Sequence, residues 1–339
     1  MPRVKELGEL GLIRRLRESG GPLGTGIRTG IGDDTAVLDV ARDAVLLATT
    51  DLIVEDVHFR RATATFHDIG WKALAVNLSD IAAMGGTPRL ALLSLGLPVS
   101  LAPADLQGIL DGFLALAVDA GVTLAGGNIT RSPGPLIVDV TVTGFVRPRS
   151  VLTRGGGRPG DDIYVTGEVG AAAAGLSWWK YAEIAKDAEG AESMEGISAC
   201  VERHRRPQPR VRIGALLGRN RAASACMDLS DGLADAVRQV AEASGTGALV
   251  DAASIPIPAA ARAWFDRAGQ DAVTAAIAGG DDYELLFTVP RRARGRLATV
   301  IRQARGVRVT RIGELTRERT LAVVRHGRPE PLPSGFVHF

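Results

Sequence analysis

The chain has 339 residues, of which 46% are apolar and 23% charged, a balance typical of a soluble globular protein large enough for two domains. Forty basic and 38 acidic side chains leave a net charge of +2, which is too small to indicate a nucleic-acid or membrane-surface partner. The two cysteines form no spaced motif, no signal segment opens the chain, and no apolar run is long enough to span a bilayer, so we expect a soluble cytoplasmic protein.

Strand and helix patterns alternate through the first half. In chain order they predict a buried strand, a helix closed by two glycines, a second helix, a short strand and a longer strand: 44–50, 70–84, 104–120, 122–125 and 136–146. In the last of these, apolar residues alternate with Asp139, Thr141 and Thr143. This period predicts a strand with one face in water or in an interface.

A glycine-rich run at 154–162, RGGGRPGDD, interrupts the pattern, and we place the domain boundary there. The predicted domains are 1–150 and 151–339. Helices are expected after Gly170 and Asp231. Strands are expected at 163–166, 247–251, 284–289, 307–313 and 321–325. Both halves therefore predict a mixed α/β fold, and the polar segment 180–200 is expected to form an exposed helix and loop without chemistry.

Aspartates recur at the ends of strand-like or loop segments, each beside glycine, serine or threonine. The five segments are GIGDD (30–34), TTD (49–51), NLSD (77–80), DLSDG (228–232) and GGDDYE (279–284). Such oxygen ligands without a His or Cys cluster suit magnesium better than zinc. Taken singly, each segment is also typical of an Asx turn or a helix cap, so the magnesium interpretation rests on the recurrence.

Two further groups need interpretation. On the helix at 70–84, Asn77 and Asp80 share a face, and the apolar surroundings favour a buried, ion-paired or metal-bound Asp80 over a plain surface residue. An arginine cluster at 203–212 is broken by Pro207 and Pro209. It could meet a phosphate, but a solvated loop face is the favoured interpretation.

The sequence lacks the phosphate-binding loops of well-known nucleotide enzymes. No lysine follows a glycine as GxxxxGK[ST] requires, and the glycine loop, HRD and DFG elements of protein kinases are missing. A nucleotide would instead be held by metal ions, by backbone amides of a glycine-rich segment such as 126–128, and by an arginine such as Arg154.

Taken together, these segments resemble the thiamine-monophosphate kinase family, part of the superfamily that includes aminoimidazole ribonucleotide synthase and selenophosphate synthetase. The resemblance runs from GIGDDTAVL through TTDLIVEDVHF, GWKALAVNLSDIAAMGGTP, LTRGGGRPGDDIYVTG, DLSDGL and GGDDYELLFTV to the closing GFVHF. It implies a two-domain fold like that of aminoimidazole ribonucleotide synthase, in which N-terminal strands of two subunits join in a dimeric β-barrel with helices outside. The N-terminal domain would then bind ATP and metal.

The resemblance also implies roles for individual residues. The implied ligands of several magnesium ions are Asp34, Thr49, Thr50, Asp51, Asp80, Asn128, Asp228 and Asp231. The implied ATP contacts are Gly127, Asn128, Arg154 and Ser230, and the implied substrate contacts are His58, Asp281 and Phe336. His58 alone, between Val57 and Phe59, would more often be a satisfied core or surface residue, and its place seven residues after Asp51 is what favours a function.

Three positions depart from the common family pattern. Asn128 stands where many members carry aspartate, which makes one implied metal ligand neutral. Asp281 replaces a commoner glutamate and reaches less far by one methylene. Phe336 replaces a commoner tyrosine and keeps ring stacking without the hydroxyl.

The implied reaction passes the γ-phosphoryl group of ATP to thiamine monophosphate, giving thiamine diphosphate and ADP, and we assign no acid or base residue. Two alternatives stay open at this point: another ATP-dependent enzyme of the superfamily, and a non-catalytic protein that binds divalent metal. Cys200 and Cys226 do not fit the positions that selenophosphate or carbamoyl-thiol chemistry would require. The sequence also predicts a homodimer built through the N-terminal half.

Overall fold

The structure is a computed structural model and describes residues 15, 18–19, 27–29, 37–184 and 194–335. The described chain divides into two units. One contains residues up to Ile81 and Gly86–Pro148, and the other contains Ala82–Gly85 and the chain from Arg149 onward. Each unit combines helices with a β-sheet, so the fold is mixed α/β with two domains.

The first unit is built on a four-stranded sheet. Its elements in chain order are β1 (Ile27–Thr29), β2 (Val37–Leu38), β3 (Val45–Val54), α1 (Phe66–Ala83), β4 (Thr87–Pro98), α2 (Pro103–Ala120), β5 (Thr123–Ser132) and β6 (Ile137–Val146). The sheet order is β3-β6-β4-β5, while β1 and β2 pair separately. Strands β4 and β5 run parallel, with α2 in the crossover between them, and the other pairs of the sheet are antiparallel.

One face of this sheet is packed and the other is not. Along β6, buried residues alternate strictly with partly exposed ones, as the sequence period predicts. On β3 the same alternation leaves Leu46 50% and Leu52 49% exposed, while Ile53 is buried. The prediction of a buried strand at 44–50 is therefore wrong for the single chain, because helices cover only one face of this edge strand.

Helix α1 begins and ends at recognisable signals. At its start, Thr65 N donates to Asp68 Oδ2 (2.9 Å) and Asp68 N donates to Thr65 Oγ1 (3.1 Å), which forms a capping box. At its end, Gly85 adopts φ +73°, a left-handed conformation that glycine accommodates without strain. These signals hold the helix that carries Asp80 in place.

The second unit contains a seven-stranded sheet. Its helices are α3 (Ala171–Ile184), α4 (Ile197–Arg205), α5 (Val211–Arg219), α6 (Leu233–Ser244), α7 (Ala259–Arg267), α8 (Ala272–Ala278) and α9 (Arg294–Gln303). Its strands are β7 (Asp162–Thr166), β8 (Ala225–Asp228), β9 (Gly247–Asp251), β10 (Leu285–Val289), β11 (Val309–Thr316), β12 (Leu321–Arg325) and β13 (Arg328–Pro331). The sheet order is β13-β12-β9-β11-β7-β10-β8, antiparallel except for the β9–β12 pair. One buried cluster packs α6 and α8 on this sheet, and another includes residues of α5 and α9.

The glycine-rich run at 154–162 belongs to the second unit, where it packs tightly. A Cβ added at Gly155 would lie 2.7 Å from the carbonyl oxygen of Ala243, and one at Gly156 would lie 2.2 Å from that of Ser224. Close packing therefore accounts for glycine here. None of the helices in the described ranges combines the length and apolar character needed to cross a membrane.

Candidate functional site

The first unit brings two predicted ligands together across the packed face of its sheet. Thr49, on β3, donates its hydroxyl hydrogen to Asp80 Oδ2 on α1. Asp51 lies two residues along β3 and is half-buried, so its side chain points to the same face as Thr49. The structure thus joins one hydroxyl and one carboxylate across the contact between β3 and α1, with a second carboxylate on the same face of β3.

Thr50 lies on the opposite face of β3. Its hydroxyl donates to the Val140 carbonyl oxygen (3.2 Å) and to Asp139 Oδ1 (3.2 Å), and Thr141 Oγ1 lies at the same distance. The structure therefore separates the Thr50 side chain from the Thr49–Asp80 pair. Its role as a metal ligand stays a prediction.

His58 lies in the turn that follows β3. Val54 N donates to His58 Nδ1 (3.1 Å), and His58 N donates to the Val54 carbonyl oxygen (2.9 Å). Because Nδ1 accepts a hydrogen bond, the proton of the neutral ring is on Nε2. Glu55 anchors this turn. Its carboxylate accepts a hydrogen bond from Leu136 N (2.9 Å) and forms an ion pair with Arg61.

Gly127 and Asn128 lie exposed in the edge strand β5, paired with Leu93 and Ser94 of β4. A Cβ at Gly127 would lie 1.8 Å from the Leu93 carbonyl oxygen, so only glycine allows the two strands to approach this closely. The glycine expected to present amides to phosphate is therefore also required by the sheet.

In the second unit, the DLSDG and GGDDYE segments pair through their backbones. Asp281 N donates to the Ser230 carbonyl oxygen (2.8 Å), Tyr283 N to that of Leu229 (3.0 Å), and Leu229 N to that of Glu284 (2.8 Å). Asp228 is buried at the end of β8, while Ser230 and Asp231 are partly exposed just before α6. These bonds place the predicted substrate contact Asp281 next to the predicted ATP contact Ser230.

Two residues of the GGDDYE segment adopt left-handed conformations. Asp281 has φ +70° and Tyr283 has φ +48°, which is uncommon for residues other than glycine. The Asp281 side chain is 31% exposed, and its Oδ2 lies 3.2 Å from His204 Nδ1 on α4. His204 is a site neighbour that the sequence reasoning did not identify.

Asp282, between these two residues, points inward. It accepts hydrogen bonds from Gly170 N (2.7 Å) and Ala172 N (3.2 Å), donors at the start of α3. Burial raises the pKa of Asp282 to about 7, and the negative Glu284 acts in the same direction. The two backbone hydrogen bonds and the positive Arg203 oppose this change.

Glu284 is fully buried and holds two arginines of the 203–212 cluster. Arg203 Nη2 donates to its Oε1 (2.5 Å), Arg210 Nε donates to its Oε2 (2.6 Å), and Thr166 Oγ1 also donates to Oε2 (2.6 Å). The interpretation of this cluster as a solvated loop face is therefore wrong for these two arginines. A buried carboxylate 74 or more residues away binds them.

Three predicted site residues remain, namely Arg154, Asp34 and Phe336. Arg154 is exposed and its Nη1 donates to Gln239 Oε1 on α6. Asp34 and Phe336 lie outside the described residues. Gly335, just before Phe336, packs on the DLSDG segment, because a Cβ there would lie 2.8 Å from the Asp231 carbonyl oxygen.

The metal prediction can be compared with the side chains that the structure describes. Among these, no three His, Cys, Asp or Glu side chains form a group that could hold a metal. Within the first unit, the oxygens of Thr49, Asp51 and Asp80 are the observed candidates. Hydroxyl and carboxylate oxygens fit magnesium, which usually takes one or two protein carboxylates and completes its shell with phosphate and water.

Comparison with known proteins identifies the family. The sequence profile of AIR synthase related protein, N-terminal domain, matches residues 32–146, and that of the C-terminal domain matches 158–326. The thiamine-monophosphate kinase of Escherichia coli (strain K12) is 38% identical over 334 residues, which is 98% of each chain. The chain belongs to the thiamine-monophosphate kinase family.

Solved structures of the thiamine-monophosphate kinase family have the same fold. The enzyme from Stenotrophomonas maltophilia K279a has a TM-score of 0.80 at 37% identity, over 92% of this chain and 95% of that one. AaThiL complexed with AMPPCP and TMP has a TM-score of 0.76 at 30% identity, over 100% of this chain and 99% of that one. The family resemblance seen in the motifs is therefore confirmed.

Proposed function

We propose that this chain transfers the terminal phosphoryl group of ATP to the phosphate of thiamine monophosphate, giving thiamine diphosphate and ADP. The observation that carries the proposal is identity of 38% to a thiamine-monophosphate kinase along nearly the whole chain. A related structure, AaThiL, has been solved with AMPPCP and TMP, and we infer the same pair of ligand types here. Of the described motifs, TTD lies within β3 and NLSD within α1, while DLSDG begins at the end of β8 and leads into α6.

The reaction depends more on positioning the two phosphate groups than on proton transfer. The acceptor oxygen of thiamine monophosphate is already anionic at neutral pH, so no residue has to remove a proton before attack. We therefore assign no acid or base residue. The barrier comes mainly from bringing two charged phosphate groups into line.

Magnesium is the metal that the donor set fits, as the oxygen ligands indicate. The residues that would hold it are Asp51 and Asp80 with Thr49 in the first unit, and Asp228 and Asp231 in the second; Asp34, Thr50 and Asn128 complete the proposed set. Bound magnesium would neutralise charge on the phosphate groups. In this chain, Thr49 fixes the orientation of the Asp80 carboxylate by donating to Oδ2.

The nucleotide and the acceptor are proposed to contact different residues. Gly127, Asn128, Arg154 and Ser230 would contact ATP. The N-terminus of α6 follows Ser230, and the positive end of a helix dipole favours phosphate there. His58, Asp281 and Phe336 would contact thiamine monophosphate, with the His58 Nε2 proton able to donate to an acceptor oxygen.

We also propose that the protein is a homodimer in which sheets of two first units close into a shared barrel. The uncovered face of the four-stranded sheet supports this. Leu46 and Leu52 of β3 are exposed there, next to β6, along which buried and partly exposed residues alternate strictly. Large contiguous apolar patches on a soluble chain commonly mark interaction surfaces. The cytoplasmic location stays a prediction.

A direct assay tests the proposed activity. Purified protein with ATP and magnesium should convert thiamine monophosphate into thiamine diphosphate, with one ADP formed per product. Thiamine and aminoimidazole precursors serve as control acceptors and should give no phosphorylated product. ATP hydrolysis without thiamine diphosphate, or turnover of a control acceptor instead, would contradict the proposal.

A further inference from the structure

The backbone of the GGDDYE segment adopts an energetically unfavourable conformation at two residues. Asp281 and Tyr283 both have positive φ, and Tyr283 is a bulky residue only 8% exposed. Such conformations are energetically unfavourable and persist where the surroundings leave no alternative. The neighbouring contacts must therefore supply the restraint.

Glu284 supplies the strongest of these contacts. Its buried carboxylate accepts bonds from Thr166 of β7, from Arg203 of α4 and from Arg210 at the start of α5. Both carboxylate oxygens are thus used, and three elements of the second unit meet on one side chain. Asp282 adds a second anchor through Gly170 N and Ala172 N at α3.

Helix α4 links this anchor to the exposed end of the segment. Arg203 binds Glu284, and the adjacent His204 lies 3.2 Å from Asp281 Oδ2. The helix therefore touches both the buried and the exposed carboxylate of one short segment. A shift of α4 relative to Glu284 would move the partner of Asp281 as well.

We propose that Glu284, held by Arg203 and Arg210, is a positioning residue that sets Asp281 for the acceptor without touching a substrate. This inference rests on the proposed function, in which Asp281 contacts thiamine monophosphate. Removing the Glu284 charge should allow α4 and the GGDDYE backbone to relax, so Asp281 would no longer meet the acceptor correctly. Binding of the acceptor should suffer more than binding of ATP.

The chain offers a matched control. Asp162, on β7, is also a buried carboxylate bound by two arginines, since Arg294 Nε and Arg311 Nε donate to it at 2.8 and 2.7 Å. Asp162→Asn therefore breaks the same kind of contact in the same unit without touching the GGDDYE segment. It measures the effect of lost stability alone.

The test compares Glu284→Gln with Asp162→Asn by steady-state kinetics, calorimetric titration with thiamine monophosphate, and thermal unfolding. We expect Glu284→Gln to raise acceptor KM and Kd by about tenfold while ATP KM changes by less than about threefold. Asp162→Asn should lower Tm and leave both KM values near wild type. Arg203→Lys, which leaves Arg210 on Glu284, should show a smaller shift in acceptor KM and keeps the test decisive if Glu284→Gln does not fold.

Two results would overturn the inference. In the first, Glu284→Gln lowers Tm as Asp162→Asn does but leaves acceptor binding unchanged. The same result for Arg203→Lys would count equally if Glu284→Gln does not fold. The other is an equal change in KM for both substrates, which would mean that the segment acts on the whole site. Failure of the proposed function looks different, because the wild-type protein itself would then neither bind nor phosphorylate thiamine monophosphate.

Discussion

At the scale of single residues, the Thr49–Asp80 contact is the part of the candidate site that the structure defines best. Thr49 donates its hydroxyl hydrogen to Oδ2 of Asp80, and a carboxylate can accept more than one partner. The contact also restricts the rotamers of Asp80, so a metal would meet a preorganised ligand. The charge of Asp80 is therefore expected to matter more for catalysis than for folding.

Asp80→Asn tests this division. The amide oxygen can still accept the Thr49 hydroxyl, so the free energy of unfolding should change by less than about 1 kcal/mol. Turnover should fall by at least about a hundredfold, because the proposed metal ligand loses its charge. Asp111→Asn, an exposed change on α2, is the control. Near wild-type turnover of Asp80→Asn at saturating magnesium would contradict the ligand role.

The burial of Asp282 predicts that the stability of the protein depends on pH. Burial raises its pKa from 3.8 to about 7 in the folded state, so folding favours the protonated form. The stabilising contribution is fully present below 3.8 and is lost as pH rises through about 7. Denaturant unfolding should therefore show Asp282→Asn gaining stability relative to wild type from about pH 4 to about pH 7, with little further gain above about pH 8. Exposed Asp266→Asn should show no such trend, and parallel profiles for both variants would contradict the prediction.

At the scale of elements, the close packing of β4 against β5 limits which residues can occupy the proposed ATP-binding segment. The two parallel strands approach so closely at Gly127 that a Cβ would meet the Leu93 carbonyl oxygen. Asn128 is the next residue along β5, so any displacement of the strand at Gly127 moves it too. Sheet geometry and the proposed ATP contact are thus joined in one segment.

Gly127→Ala should separate these strands locally. We expect a loss of about 1–3 kcal/mol in the free energy of unfolding, together with a higher KM for ATP. Gly134→Ala is the matched control, since its Cβ would have no heavy atom within 4 Å. Equal urea midpoints for the two variants would show that β5 can shift without cost.

The sequence predicts the elements well where local signals decide them. Helix α2 and strand β6 lie within one residue of their predicted bounds, because apolar period and flanking glycines mark them. Strand β3 continues four residues past the predicted end, since the charged Asp51 is predicted to mark the end of the strand although it pairs with Val140 within it. Strand β5 continues through its glycines for a similar reason.

The network around Glu284 was beyond sequence reasoning. Arg203 and Arg210 lie 81 and 74 residues before their carboxylate, and no periodic pattern relates positions that far apart. The hint that existed was the acidic pair in GGDDYE, of which only Asp281 was assigned a role. Which carboxylate turns inward depends on the positive φ angles on either side of Asp282.

At the scale of the whole molecule, the uncovered sheet face predicts self-association. Light scattering over a dilution series should give about twice the chain mass of 35.5 kDa at micromolar concentration. The double variant Leu46→Lys with Leu52→Lys should shift the mass toward a single chain, because both side chains lie on that face. Val99→Lys with Val118→Lys changes residues elsewhere that are at least as exposed, and this variant should stay dimeric. A wild-type mass near one chain would contradict the dimer.

Strand β3 has a further consequence for handling the protein. Its sequence, VLLATTDLIV, is an edge strand of ten residues with high β-propensity, and Asp51 is its one charged residue. A charge within such a segment acts as a gatekeeper against aggregation. Neutral substitutions of Asp51 should therefore lower the yield of soluble protein as well as activity, and their turnover has to be normalised to folded, non-aggregated chain before the loss is attributed to ligand chemistry.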